Sequence, residues 1–275
     1  MKNLQKVWAM YFSPTGTTEK IVLTIAKRLA YELDLPLELY DYTLPKMRQQ
    51  GKHFGAEDLV VFGTPTYAGR VPNVLLKYLS TVTADGALAI PVAMFGNRDF
   101  DDSLIEARDL LEAGGFHTIA AAAFVGEHAF SQVLGVGRPD TADLSLAEHF
   151  ALRIAQKLEE CADPAALSPI QVRGESPVRP YYLPRDRQGA PINILKVKPK
   201  TSDACTKCGL CAEICPMGSI SREDPSEYVG ICIKCGACQK KCPEGAKYYD
   251  DEGYLYHKTE LELGYERRAR PALFF

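Results

Sequence analysis

A doubly wound α/β domain followed by a smaller cysteine-rich module is the architecture the sequence predicts. Three observations lead there. Over the first 160 residues, short apolar runs rich in β-formers alternate with segments of helical periodicity. A proline-dense stretch follows, and eight of the nine cysteines then crowd between Cys205 and Cys242.

Five strands are expected at Lys6–Phe12, Leu37–Tyr42, Leu59–Gly63, Ala89–Phe95 and Thr118–Val125, each a nearly continuous apolar run of the kind buried on both faces of a parallel sheet. Helices fall between most of them. In the first, Ile21, Val22, Ile25, Ala26, Leu29 and Leu33 form one face opposite Lys20, Lys27, Arg28 and Glu32. The last, around Leu144 to Cys161, repeats this with Ala147, Phe150, Ala151, Ile154 and Leu158. Between Leu44 and Glu57 a proline, two glycines and weak periodicity predict an irregular crossover with at most one helical turn.

The first domain is therefore expected over residues 1–162. Residues 163–195 read as a Pro-rich linker that wraps along the first domain, because prolines at this density favour semi-rigid extended backbone. The cysteine module should occupy 196–250, with a tail over 251–275 that is expected to pack, since it ends in Leu273-Phe274-Phe275. Residues 1–162 hold 15 Lys/Arg against 20 Asp/Glu, whereas 196–247 hold nine against six, so an acidic body faces a basic module. That asymmetry suits docking of one on the other. The lysines interleave with cysteines and form no aromatic-laced basic stripe, so no nucleic-acid partner is expected. No apolar run is long enough to span a bilayer and no signal-peptide layout opens the chain, so no membrane partner is expected and the cytoplasm is the expected compartment.

The cysteines repeat. Cys205, Cys208, Cys211 and Cys215 recur 27 positions later as Cys232, Cys235, Cys238 and Cys242, and Lys207-Cys208-Gly209 matches Lys234-Cys235-Gly236. Each half reads C-x2-C-x2-C-x3-C-P, closed by Pro216 or Pro243. Three cysteines at every third position wrap three corners of one iron–sulfur cube, and the fourth points to the other cube. Cluster one should take Cys205, Cys208, Cys211 and Cys242, and cluster two Cys232, Cys235, Cys238 and Cys215. The alternative is a pair of structural zinc sites, which use two separated pairs and have no need of a third cysteine at the same spacing. This module resembles the bacterial-type two-cluster ferredoxins over roughly residues 196–250, which implies a pseudo-twofold unit with two [4Fe–4S] clusters, each transferring one electron. Cys161 reads as a buried or inert structural thiol.

The first strand ends in Ser13-Pro14-Thr15-Gly16-Thr17-Thr18, directly before the first helix. A helix N-terminus holds phosphate through free N–H groups and the helix dipole, with the hydroxyls of Ser13, Thr15, Thr17 and Thr18 as further donors and Gly16 permitting close approach. Without a Walker lysine or G-x-G-x-x-G, the loop suits a monophosphate. Helix capping alone would also explain such a turn. Two further loops leave the carboxyl ends of strands, where ligands sit in open α/β sheets: Thr64-Pro65-Thr66-Tyr67-Ala68-Gly69-Arg70 and Gly96-Asn97-Arg98-Asp99-Phe100. They suit a flat heteroaromatic ring. The amides of Ala68 and Gly69 are expected at its polar edge, Tyr67 on its face or simply over the sheet edge, and Asn97 on its pyrimidine portion.

Together these loops resemble those of the flavodoxins across residues 1–161, with S-x-T-G-x-T the most specific piece. The resemblance implies noncovalent FMN at the edge of a five-stranded sheet of order 2-1-3-4-5, with Ser13, Thr15, Gly16, Thr17, Thr18, Pro65, Thr66, Tyr67, Ala68, Gly69, Gly96, Asn97, Arg98 and Phe100 around it. Arg70 and Arg98 would offset charge on a reduced ring, meet a partner, or only solvate. His128 and Phe130, after the fifth strand, are a further candidate region. His53, His117, His149 and His257 read as structural.

The whole chain resembles the fused flavodoxin–ferredoxin family of anaerobic bacteria and archaea. That resemblance implies electron transfer between two clusters and FMN, coupling one- and two-electron steps, with redox proteins as partners. The alternative is an FMN-dependent reductase of a small molecule, fed by the clusters. No pyridine-nucleotide site and no general acid beside the expected ring is recognisable, and no catalytic residue is assigned.

Overall fold

The computed structural model describes residues 4–161 and 163–275. Residues 1–3 and 162 of the expected first domain lie outside the described residues. Five parallel strands, β1 (Lys6–Tyr11), β2 (Leu37–Asp41), β3 (Asp58–Pro65), β4 (Leu88–Phe95) and β5 (Ala121–Val125), run in the order β2-β1-β3-β4-β5. Helices α1 (Thr17–Glu32) and α4 (Thr141–Glu160) cover one face, with Ile21, Ile25 and Leu29 packed in one cluster with Phe150 and Ile154. Helices α2 (Asn73–Leu79) and α3 (Ser103–Ala113) cover the other through Leu75, Leu79 and Leu111. Both faces are shielded from water because each helix presents an apolar stripe to the sheet.

The structure departs from the sequence-based strands in three ways. β2 is an edge strand, and Leu39 in its middle is 56% exposed, so its apolar run does not mean burial on both faces. The expected fifth strand is broken: Leu88 pairs with His117 but Val92 pairs with Ala122, so one extra residue is accommodated before β5. That is a bulge, which a continuous apolar run does not announce. The sheet is also mixed. A sixth strand, β6 (Ala272–Phe274), pairs antiparallel with β5 and covers its free edge.

The crossover after β2 contains one 3-10 turn, Pro45–Arg48. The proline-rich segment lies along the first domain as a strap. Tyr182 N–H donates to Ala68 O (2.8 Å), the Tyr181 hydroxyl to Val71 O (2.8 Å), and Arg179 clamps the buried Asp102 carboxylate from Nε (2.8 Å) and Nη2 (2.6 Å). The Arg179 bonds hold the Asp102 carboxyl down to about 2 against the opposing effect of burial.

In the cysteine module, α5 (Leu210–Glu213) and α6 (Ala237–Lys240) each follow a left-handed glycine, Gly209 at φ 80° and Gly236 at φ 77°. Lys207 and Lys234, at φ 56° and 55°, repeat the same turn 27 residues apart. The sequence repeat is thus a conformational repeat. The ends of the module close through paired two-residue strands, Lys200–Thr201 and Lys247–Tyr248. Helix α7 (Glu252–Gly264) then leads back to β6.

The two units are packed together. Lys240 Nζ meets Glu127 Oε2 at 2.9 Å, and Arg48 donates to Pro216 O. Gly236 sits so close to the first domain that a Cβ there would stand 2.7 Å from Ala129 O. Only glycine allows that approach.

Candidate functional site

A cavity of about 500 Å³ opens at the carboxyl ends of β1, β3, β4 and β5. This is the size range of cofactor pockets. One end is formed by Pro14, Thr15, Thr17 and Thr18 at the start of α1. Of the first-turn N–H groups, Glu19 N–H is taken by Ser13 Oγ (2.9 Å), whereas those of Thr17 and Thr18 have no intrahelical partner by position. With Gly16 at φ 95° and open space where its Cβ would be, the turn fits a phosphate.

The cavity continues along Pro65, Thr66, Tyr67, Ala68 and Gly69. Tyr67 and Arg70 exchange N–H···O bonds of 2.9 and 3.1 Å around Ala68 (φ 51°) and Gly69 (φ 80°), a tight turn with both central residues left-handed. Among the described residues nothing accepts the N–H groups of Ala68 and Gly69. They are available to the polar edge of a ring. Burial chiefly, with Cys235 and Cys232 adding to it, pushes the Tyr67 phenol well up.

Gly96 and Arg98 also line the cavity, but four expected residues do not. Ser13 is buried and spent on structure: its N–H donates to Thr43 Oγ1 (2.8 Å) while its Oγ caps α1. Gly16 shapes the turn without bordering the space. Asn97 faces the opposite way, donating Nδ2 to Tyr265 O and Arg267 O (both 2.7 Å) and accepting Ala269 N–H (3.1 Å), so it anchors the C-terminal segment instead of a ring. Phe100 is buried against Phe95, with Arg173 over it at 3.9 Å. Arg70 is likewise committed, in a two-pronged pair with Glu106 (2.7 and 2.6 Å).

Residues the sequence did not assign to this cavity complete the walls. Tyr182, Leu183, Pro184 and Pro191 to Leu195 come from the strap, Ile233, Lys234 and Cys235 from the cysteine module, and His257 and Leu261 from α7. His257 is therefore a wall residue as well as a buried one; burial and then Arg98 hold its pKa down. Outside the cysteine motif, neither periodicity nor motif marks these positions. The Tyr181-Tyr182 pair inside a proline-rich run was the one available signal.

The cysteines stand around two further cavities. Cys205, Cys208, Cys211 and Cys242 line one; Cys215, Cys232 and Cys235 line the other; Cys238 borders both. Among the described residues no three His, Cys, Asp or Glu side chains converge to hold a single ion. Backbone N–H groups of Ser219, Lys234 and Ala246 reach the sulfurs of Cys215, Cys232 and Cys242 at 3.4 Å, the kind of bond that tunes a cluster potential. Four thiolate donors per cavity suit an iron–sulfur cube. Cys208 is exposed whereas Cys235 is buried between the units, so the two sites differ in access.

Residues 199–221 match a family model described as a 4Fe-4S binding domain, and residues 230–248 match a second model of the same description. Several solved structures are similar over the first domain. An archaeal flavodoxin is 12% identical, covering 57% of this chain and 100% of its own, with TM-score 0.39. A Streptococcus pneumonia TIGR4 flavodoxin is 21% identical (56% and 99% covered, TM-score 0.38), and an NADH:FMN oxidoreductase, EMOB, in its apo form is 17% identical (58% and 92%, TM-score 0.39). No curated protein sequence matches the chain.

An α/β domain of flavodoxin strand order is thus packed against a ferredoxin-type iron–sulfur region. The chain is a flavodoxin-like domain joined to two 4Fe-4S binding domain sequences. Among the described residues, no helix is long and apolar enough to cross a membrane.

Proposed function

We propose that this chain is an electron-transfer iron–sulfur flavoprotein that holds FMN in the large cavity and one [4Fe–4S] cluster in each cysteine cavity. One observation carries the reading: the three cavities form a row, with Cys235 in the wall between the large cavity and the inner cysteine cavity, and Cys238 in the wall between the two cysteine cavities. When bound, the clusters would pass single electrons and FMN would hold one or two.

The chain's own residues position these groups. Thr15, Thr17 and Thr18 hold the phosphate, the Ala68 and Gly69 amides hold the ring's polar edge, and Arg98 borders it. Cys205, Cys208, Cys211 and Cys242 ligate the outer cluster, and Cys232, Cys235, Cys238 and Cys215 the inner one. The strap and Ile233 to Cys235 crowd the ring end, which favours delivery through the cysteine module over turnover of a small molecule. Redox proteins in an anaerobic cytoplasm are the partners this reading implies, and exposed Cys208 marks the accessible end.

Anaerobic purification with iron, sulfide and flavin analysis, followed by stepwise reductive titration watched optically and by EPR, tests it. The expected result is about eight iron, eight sulfide and one FMN per chain, all filled by added electrons. Zinc in place of iron, absence of flavin, or rapid catalytic turnover of a quinone or nitroaromatic by the reduced protein would overturn it.

A further inference from the structure

His128 follows β5 and lines the large cavity without belonging to any of the three loops that define it. Its ring is fixed from several sides. Phe130 N–H donates to Nδ1 at 3.1 Å, and the Phe130 ring stands edge-on to the imidazole at 5.3 Å. The main-chain N–H of His128 donates to Leu134 O at 3.0 Å. On another side the ring lies against the bare backbone of Gly96, where an added Cβ would stand 2.5 Å from Cδ2 and 2.9 Å from Cα. The end of β4 is thus kept free of a side chain to seat this imidazole.

An Nδ1 that accepts a hydrogen bond leaves the proton of a neutral imidazole on Nε2. Among the described residues no group bonds Nε2. A ring held in one tautomer, half-buried in a cofactor-sized cavity and carrying an unspent donor, is oriented toward an acceptor that the protein itself does not provide. Beyond Phe130 the wall continues as His257 and Tyr182, stacked at 5.9 Å, and Arg98 lies 5.1 Å from the Tyr182 ring. Most of that wall is apolar or aromatic, and His128 adds a directional donor to it. Burial keeps the imidazole neutral near pH 7, which leaves Nε2–H as donor without adding a fixed charge.

We infer that His128 is a positioning residue for the ligand of the large cavity, donating Nε2–H to an acceptor atom on the heteroaromatic ring. This rests on the reading of that ligand as FMN. The Ala68 and Gly69 amides donate from the end of β3, whereas His128 reaches the same cavity from the end of β5.

The test uses the full chain with its clusters intact, stripped of flavin and titrated with FMN while flavin fluorescence is followed. His128→Leu removes the donor, His128→Gln retains an N–H, and Gly96→Ala keeps the imidazole but displaces it. FMN affinity should fall about two- to tenfold in the Leu and Ala variants, the range of one hydrogen bond, and recover in the Gln variant. The flavin midpoint potential should shift in the Leu variant and return toward wild type with Gln, since a donor to the ring does not stabilise its oxidised and reduced forms equally. Unchanged affinity and potential in His128→Leu, or equal losses in Leu and Gln with iron content intact, would reduce His128 to packing and overturn the inference. Wild-type protein that takes up no FMN would instead overturn the flavin reading beneath it.

Discussion

Cys235, just before α6, and Cys238, within it, between them touch all three cavities: Cys235 borders the large cavity and the inner cysteine site, and Cys238 borders both cysteine sites. The four residues Cys235 to Cys238 therefore border the whole row. The left-handed Gly236 between them permits this, since any side chain there would strike Ala129 O.

Crossed ligation is the first expectation. Cys242 stands with Cys205, Cys208 and Cys211, and Cys215 with the later triplet. Cys242→Ser is expected to lose the outer cluster and about half of the iron and sulfide, while the EPR signal of the inner cluster persists. Iron analysis and EPR on anaerobically purified protein decide it; two intact clusters in the variant would contradict the pairing.

Docking has a local electrostatic component. In the half-buried Glu127–Lys240 pair, burial raises the Glu127 pKa but the Lys240 and Gly137 bonds outweigh it, and the net shift is downward. Glu127→Gln should cost about 1 kcal/mol of stability and loosen the cysteine module from the first domain. Raising the salt concentration should narrow the difference from wild type, as measured by denaturant unfolding.

Asn97 separates a structural from a ligand role. Asn97→Ala leaves two carbonyls and one N–H of the C-terminal segment without partners, at a cost of about 2–3 kcal/mol, and should loosen β6. FMN affinity should change little. Unfolding curves and flavin fluorescence measured on one preparation check both halves.

His128 should also make the protein acid-sensitive. Burial, with His257, Lys240 and Arg98 adding to it, holds its pKa down to about 4 from an ordinary 6.5. Between those values the unfolded chain binds a proton that the folded chain refuses. Stability is therefore complete above about pH 6.5 and falls toward pH 4, with a slope approaching 1.4 kcal/mol per pH unit. His128→Gln should lose that part of the slope in unfolding measured from about pH 7 down to about pH 5.

The two cysteine quartets and their 27-residue repeat were legible in the sequence because ligand spacing in a tight turn is a local property. So were α1 and α4, whose apolar stripes repeat within one helix, and the threonine loop at the start of α1. Asn97, expected on the ring's pyrimidine portion, and Phe100, expected around the cofactor, have side chains committed elsewhere. A loop's position after a strand says that ligands are near, but not which side chains turn inward; the left-handed φ of 65° at Asn97 goes with a side chain directed to the C-terminal segment.

By itself the sequence determined the alternation of strands and helices, the spacing of the two cysteine quartets and the Ser/Thr turn before α1, all set by periodicity and spacing within short stretches. Tertiary structure alone decided that Tyr182, Ile233 and His257, 75 residues apart at the extremes, share one wall with Tyr67 and His128. It also decided that β6 closes the sheet edge. The physical reason is the same in each case: burial of apolar surface is non-directional and acts between whatever faces the folded chain brings together, so its partners leave no mark in the local order of residues.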